Sequence, residues 1–381
     1  MKYVKFGKHD FEVSRFGLGC MRFPKIKLED GTEVINEKEA IDIIRTAIDG
    51  GVNYIDTAYV YPGSEVVVGK ALQDGYREKV KLVTKLPIWS CNSEEDLQKF
   101  MDEELERLQT DYLDIYLLHN LFEANWAKVK QFNAIEFMKK QKELGKAKLV
   151  GFSCHGQLSH WKEVVDAYDW DVCMMQYNYF DKYYQAGEEG LKYASSKGLP
   201  VIIMESLRGG MLGQTPPENV AEKLAKVPGE TYGEKSFAWL INQPECTVML
   251  SGCSSVEHVK ENLATFDKYE AGHLNEEQLK AYDEAREEWN KKTLVACTGC
   301  AYCMPCPMGV DIPGLFKYYN DTVRVLDKSQ TQPFLYAQLF SHSKKDPTQC
   351  IECGKCMSHC PQNIQIPVKL KEVHENCAPK N

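Results

Sequence analysis

The 381-residue sequence has no apolar run approaching the ~18 residues that cross a bilayer, so a membrane-spanning helix is excluded. Its opening, MKYVKFGKHDFEV, lacks the apolar stretch of a secretory signal, which points to a cytoplasmic protein. Excess positive charge is lacking too: 46 Lys and Arg stand against 55 Asp and Glu, a formal net charge of −9. Nucleic acid requires a concentrated basic face, so that partner class is excluded. The stretch FMKKQKELGKAK at 137–148 reads as a solvated helix end. No G-x-G-x-x-G follows the first strand-like run, and GLGC is too short for that fingerprint, which argues against a doubly wound dinucleotide fold. Low-complexity segments, solenoid repeats and flavin motifs are also missing.

Cysteine is what the chain has in excess. Eight of its 15 cysteines fall between Cys297 and Cys360, and the other seven are scattered. A disulfide framework suits small secreted domains, whereas dense thiols in a reducing compartment point to metal. The uneven distribution also suggests a boundary, with one domain at 1–285 and a thiol-rich one at 286–381. Cys20, Cys173 and Cys246 lie in apolar contexts and read as small core residues.

Before residue 270, β-rich runs alternate with amphipathic helical runs such as EKEAIDIIRTAIDGG and LSHWKEVVDAY. The strands are RFGLGCMRF, NYIDTAY, KLVTKL, LDIYLLH, KLVGFSC, CMMQYN, PVIIME and TVMLSG. Eight strand–helix units over this length predict a (β/α)8 TIM barrel. Residues 3–13 read as a hairpin preceding it. In such a barrel the chemistry gathers where strands end. There the chain offers Asp56 and Tyr61 after the second strand, Lys85 at the third and His119 at the fourth. A phenol becomes a usable acid when a nearby cation stabilises the phenolate, and Lys85 suits that role. Asp56 would hold Lys85, and His119 would orient a carbonyl. The bland alternative is a structural Lys85–Asp56 salt bridge with Tyr61 packed in a loop.

On these residues, positions 1 to about 270 resemble the aldo-keto reductase family. NYIDTAYVYPGSE, Thr84-Lys85 and YLLHN match its motifs. The resemblance implies a catalytic tetrad of Asp56, Tyr61, Lys85 and His119, and hydride exchange between NAD(P)(H) and a small carbonyl or alcohol. It further implies that Ser153 and Gln176 bind the nicotinamide carboxamide, that Leu207, Arg208 and Ser254 contact the cofactor, and that Asn262 faces the adenine. Some positions depart from the family pattern. Cys154 replaces an Asn, Met204 begins a segment lacking the aromatic that stacks on nicotinamide, and Gly252 and His258 stand where cations grip a 2′-phosphate. The last two leave the choice between NAD and NADP open.

The thiol-rich region carries Cys297-x2-Cys300-x2-Cys303-x2-Cys306-Pro and, 44 residues on, Cys350-x2-Cys353-x2-Cys356-x3-Cys360-Pro. The second run has bacterial ferredoxin spacing. Two all-thiolate zinc sites are the alternative, although zinc ribbons pair separated C-x2-C knuckles. Two [4Fe–4S] clusters are expected. In two-cluster ferredoxins the last Cys of each run serves the other cluster. One cluster then takes Cys297, Cys300, Cys303 and Cys360, and the other takes Cys350, Cys353, Cys356 and Cys306. The intervening segment is too long for the compact β-rich ferredoxin. Its helix-like LFKYYNDTV and PFLYAQLFS resemble the α-helical two-cluster ferredoxin domain.

A nicotinamide gives two electrons as hydride, while a cluster accepts one. Either the clusters are structural or sensory, or the pair is split by a flavin, for which the absent aromatic near Met204 leaves room, or by an electron-transfer partner protein. A pure electron carrier or redox sensor on a degenerate barrel predicts a broken tetrad, yet all four residues are present.

Overall fold

Twelve short strands organise the N-terminal part of the chain. They are β1 (Tyr3–Lys5), β2 (Glu12–Ser14), β3 (Phe16–Gly19), β4 (Lys25–Lys27), β5 (Glu33–Ile35), β6 (Tyr54–Asp56), β7 (Lys81–Leu86), β8 (Leu113–Leu118), β9 (Ala147–Cys154), β10 (Val172–Gln176), β11 (Val201–Met204) and β12 (Cys246–Ser251). In this computed structural model, which describes residues 1–325 and 333–379, β3 and β6–β12 pair in parallel, each with its chain neighbour, and β12 closes on β3. These are the eight strands read from the sequence, now seen as a closed (β/α)8 barrel. Strands covered on both faces read as continuous apolar runs. Accordingly, every residue of β8, LDIYLL, is buried.

The β1–β2 hairpin pairs Tyr3 with Ser14 and Lys5 with Glu12. It plugs the barrel, because Phe6 and Val13 join an interior core with Tyr54, Val83, Ile115, Leu117, Val172, Ile202 and Val248. A second ribbon, β4–β5, follows the first barrel strand. The run RFGLGCMRF ends at Phe23, before this ribbon begins at Lys25, and the sequence reading places no strand there.

The chain divides into two compact units. The first is Met1–Leu207 with Gly229–Asn275; the second is 208–228 with 276 onward. The second unit is helical, with Glu276–Lys292, Ile312–Val325 and Ile366–Cys377 as its longer helices. Its core contains Val310, Ile312, Leu315, Phe316, Tyr319, Tyr336, Phe340, Ile366, Leu370 and Val373. Asn320 acts as an internal clasp: its Oδ1 accepts from the Leu294 and Val295 amides at 3.1 and 3.0 Å, and its Nδ2 donates to the Val295 carbonyl at 2.7 Å. The expected LFKYYNDTV helix lies within Ile312–Val325. PFLYAQLFS forms Pro333–Tyr336 and a wider turn over Ala337–Ser341. The part of the insert at 326–332 lies outside the described residues.

Two features of the barrel wall carry measurable consequences. Gly151 in β9 pairs with Val172 in β10, and a Cβ there would overlap the Val172 carbonyl oxygen. Gly151→Ala must push the two strands apart, so we expect a loss of about 3 kcal/mol and a Tm lower by roughly 6–12 °C in thermal denaturation. On the outer side of β7, the Thr84 hydroxyl donates to Glu65 at 2.6 Å, and Arg107 pairs with Glu65 at 3.3 Å. Glu104 is fully buried in the same neighbourhood. Burial, reinforced by the Glu65 charge, pushes its carboxyl well above the usual range, and burial pushes Glu65 up to about 7. An acid raised in this way ionises first in the unfolded chain, so the folded state loses ground as pH climbs above the ordinary value of 4.5. Glu104→Gln should match the parent near about pH 4.5 and exceed it by at least about 1 kcal/mol at about pH 8, measured by chemical denaturation at both pH values.

Candidate functional site

Closure of the barrel brings the ends of β6, β7 and β8 side by side. The register sets Asp56 beside Val83, and Lys85 beside Leu117. At that mouth the Lys85 Nζ donates to Asp56 Oδ1 at 2.6 Å and to the Thr57 carbonyl at 2.7 Å. Both side chains are buried. Burial raises the Asp56 carboxyl against the pull of the Lys85 charge.

Tyr61 lies in the turn between β6 and the Ser64–Ala71 helix; its amide donates to the Ala58 carbonyl at 3.0 Å. Its half-buried ring has Lys85 Nζ 5.3 Å from the centroid, and the His119 ring stands edge-on at 6.2 Å and 88°. His119 follows β8, and its amide donates to the Leu86 carbonyl at 3.0 Å. Burial first, then the charges of Lys85 and His155, hold its imidazole well below the usual range. It is therefore a neutral ring at neutral pH. The structure thus brings together all four residues named from the sequence. Sequence reading passed over Trp89, whose ring lies 5.0 Å from that of His119. The available signal was its position just beyond the end of β7, in PIWS.

The expected cofactor contacts occupy three places. Ser153 and Gln176 end the adjacent strands β9 and β10 and are buried. The Ser153 Oγ accepts from the Asn120 amide at 2.8 Å, and Gln176 Nε2 donates to Asp181 Oδ2 at 2.8 Å. Ser254 and Asn262 belong to the segment beyond β12. Ser254 Oγ and His258 Nδ1 are 3.3 Å apart, and Asn262 Nδ2 donates to Ser251 Oγ at 3.0 Å. Here the Val256–Lys268 helix begins with Ser255 as its cap, and a helix start of this kind favours phosphate. A Cβ on Gly252 would meet the Arg22 stem at 3.4–3.6 Å, so a basic side chain passes beside this glycine. Leu207 is half-buried in the loop beyond β11 and is the last residue of the first unit's longer segment. Arg208 opens the second unit's first segment, buried and with φ 48°. Buried amide and hydroxyl groups at strand ends, followed by a helix start, fit a dinucleotide.

In the helical unit, one small cavity is lined by Cys297, Cys300, Cys303 and Cys360, with Ile312, Phe316 and Ile366 among the apolar wall. Another is lined by Cys306, Cys350, Cys353 and Cys356, with Met308, Ile351 and Leu370. The last cysteine of each run therefore lines the other run's cavity. Burial pushes the thiols of Cys303, Cys356 and Cys360 up. As thiolate ligands they need the compensating charge of a metal. Four thiols around each apolar cavity fit a cluster. The seven remaining cysteines are all buried.

Comparison with known proteins now adds the family. The aldo/keto reductase family model matches residues 15–287, and a 4Fe-4S dicluster domain model matches 296–364. The chain belongs to the aldo/keto reductase family and is an oxidoreductase with a C-terminal 4Fe-4S domain. Among its relatives is the Bacillus subtilis uncharacterized oxidoreductase YqkF, 28% identical over 74% of this chain and 95% of that protein. Another is an Escherichia coli NADH-specific methylglyoxal reductase, 26% identical over 70% of this chain and 94% of its own length. Among solved structures, the Bacillus halodurans aldo-keto reductase AKR11C1 in its holo form is 25% identical, with a TM-score of 0.62 over 75% of this chain and 96% of that one. An aldo-keto reductase from Klebsiella pneumoniae in complex with NADPH is 26% identical, with a TM-score of 0.59 over 74% and 94%. Among the described residues, no helix is long and apolar enough to cross a membrane.

The lining of the two cavities generates a spectroscopic expectation. Cys306→Ala should damage the same cluster as Cys350→Ala, and Cys297→Ala a different one. Cluster-resolved electron paramagnetic resonance on anaerobically prepared single variants tests this; grouping of Cys306→Ala with Cys297→Ala would refute it.

Proposed function

We propose that the barrel is a cytoplasmic enzyme that transfers hydride between NAD(P)(H) and a small carbonyl or alcohol substrate. The observation that carries this reading is the gathering of Tyr61, His119 and the buried Lys85–Asp56 pair at one barrel mouth. When bound, the nicotinamide supplies or accepts the hydride. Tyr61 donates a proton to the carbonyl oxygen in reduction and takes it back in oxidation. The Lys85 ammonium stabilises the negative charge left on the phenol oxygen, and Asp56 and the Thr57 carbonyl hold that ammonium in place. Neutral His119 orients the substrate oxygen without competing as an acid. Ser153 and Gln176 hold the nicotinamide carboxamide, while Ser254 and Asn262 hold the adenosine end. Arg22 beside Gly252 supports use of either dinucleotide.

In the helical unit, Cys297, Cys300, Cys303 and Cys360 hold one [4Fe–4S] cluster, and Cys306, Cys350, Cys353 and Cys356 a second. They exchange electrons with a partner protein or a flavin. The two cysteine-lined cavities support this assignment.

A panel of small aldehydes, ketones and alcohols with each dinucleotide identifies a working substrate. On it, Tyr61→Phe should lower turnover by about 10²–10⁴-fold while leaving dinucleotide binding and both cluster spectra intact. Lys85→Met should do comparable harm. Turnover that survives Tyr61→Phe unchanged would place the chemistry elsewhere.

A further inference from the structure

The two cysteine-lined cavities of the helical unit differ in their surroundings. The large apolar residues lining the first, Ile312, Phe316, Ile364 and Ile366, are buried, and so is its ligand Cys360. The second has an exposed rim. Of the eight cysteines Cys353 alone is exposed, and it lines that cavity. Two apolar lining residues stand out into water beside it, Ile351 at 62% exposure and Met308 at 40%. Val368 at 62% and Met357 at 36% follow directly on Pro367 and Cys356, which line the same cavity. Exposed apolar groups gathered in one place mark a contact surface.

The charges around this rim favour one sign of partner. Lys344, Lys345 and Lys355 are exposed and form no ion pair among the described residues. Lys355 sits between Gly354 and Cys356 of the cavity wall. The Lys345 carbonyl accepts from the Asp311 amide at 3.0 Å, which sets it next to Ile312, another lining residue. The acids are already engaged: Glu352 meets Lys371 at 2.6 Å, and Glu375 is within electrostatic reach of the same ammonium. A cluster on four thiolates is itself net negative and would repel an acidic protein. The three lysines supply the opposite charge that such a protein meets first. Because electron tunnelling falls steeply with distance, the favoured point of transfer is where the ligand shell reaches water, at Cys353.

We propose that the face formed by Met308, Ile351, Met357 and Val368 docks a small acidic one-electron carrier protein, which exchanges electrons with the cluster assigned to Cys306, Cys350, Cys353 and Cys356. This rests on that cluster assignment. One electron passes from the reduced carrier to the oxidised cluster, or returns; the two change by one electron in opposite senses, and no bond or proton moves. Apolar contact holds the encounter and the lysines steer it, as suits the small, short-lived interfaces of redox pairs.

The probe is an acidic plant-type [2Fe–2S] ferredoxin, added to the full-length holoprotein once electron paramagnetic resonance has shown both clusters. If the second cluster's signal is missing, the underlying assignment falls and the proposal with it. Oxidised ferredoxin should bind in isothermal titration calorimetry, with affinity falling at least about tenfold between roughly 20 and 300 mM salt. Lys345→Glu with Lys355→Glu, both cluster signals retained, should slow cluster reduction by prereduced ferredoxin at least about tenfold at low salt. Reduction by the cationic methyl viologen radical should hold or quicken in that variant. Lys139→Glu with Lys140→Glu makes the same change in net charge elsewhere, on the helix Ala134–Glu143, and should alter the ferredoxin rate less than about twofold. Val368→Asn removes an apolar contact without changing charge, and should weaken ferredoxin binding at least about threefold at every salt concentration. Should Lys355→Glu lose the cluster, Lys344→Glu with Lys345→Glu serves the same comparison. The proposal is wrong if ferredoxin does not bind or binds regardless of salt, if the two lysine pairs act alike, or if Val368→Asn binds as the parent does. It is also wrong if ferredoxin and methyl viologen slow together, since the lysines would then merely balance the cluster's own charge.

Discussion

A buried ammonium is the constraint on which the barrel mouth depends. Lys85 is 1% exposed, and a charge so placed survives only with close partners. Asp56 and the Thr57 carbonyl supply them at 2.6 and 2.7 Å. They can do so because β6 and β7 are neighbours in the closed sheet, with Asp56 level with Val83 and Lys85 two residues further along. Breaking such a pair typically costs about 3–5 kcal/mol, so the mouth is set before any ligand arrives. The same ammonium shapes what surrounds it. It lies against the Tyr61 ring, and together with burial it keeps the His119 imidazole neutral. One ion pair thus orders a phenol and an imidazole around a common space.

Much of this was legible because a (β/α)8 barrel converts position along the chain into position in space. A polar residue at the end of a parallel strand faces the mouth, so Asp56, Lys85 and His119 could be read from strand ends alone. Tyr61 needed its spacing from Asp56, since it sits in a turn. What periodicity does not encode is the turn itself. Trp89, directly beyond β7, and the β4–β5 ribbon follow from local backbone geometry rather than from any repeat of apolar residues.

Charge-rich helices hide a different feature. EEDLQKFMDEELERL is dense in acids, most of them exposed, yet Glu104 shares the inward side with Leu97, Met101 and Leu108. With Glu65 also buried, the outer wall of β7 holds two carboxylates near the guanidinium of Arg107, which also meets Glu103 and the Tyr59 ring. Composition counts those charges; only packing shows that two of them are out of water. The cysteines are the reverse case. Their spacing separates the eight that line cavities from the seven that pack as small apolar groups, because four thiols must surround one cluster while a core thiol needs no partner.

Electron counting frames the relation between the two chemistries. A hydride carries two electrons, and two clusters that each accept one would match it in number. Matching the number does not provide the step, because the pair must first be split by a group with a stable one-electron state. Asp56, Tyr61, Lys85 and His119 manage a proton and fixed charge; none of them supplies such a state in the proposed reaction. The proposed carbonyl reduction at the barrel mouth therefore calls on no electron from the clusters. Any traffic between hydride and cluster has to pass through a flavin or a partner protein that accepts two electrons and releases them singly. Carbonyl turnover that is indifferent to the cluster cysteines, beside cluster reduction that depends on an added mediator, is the behaviour expected if the proposed reaction is right.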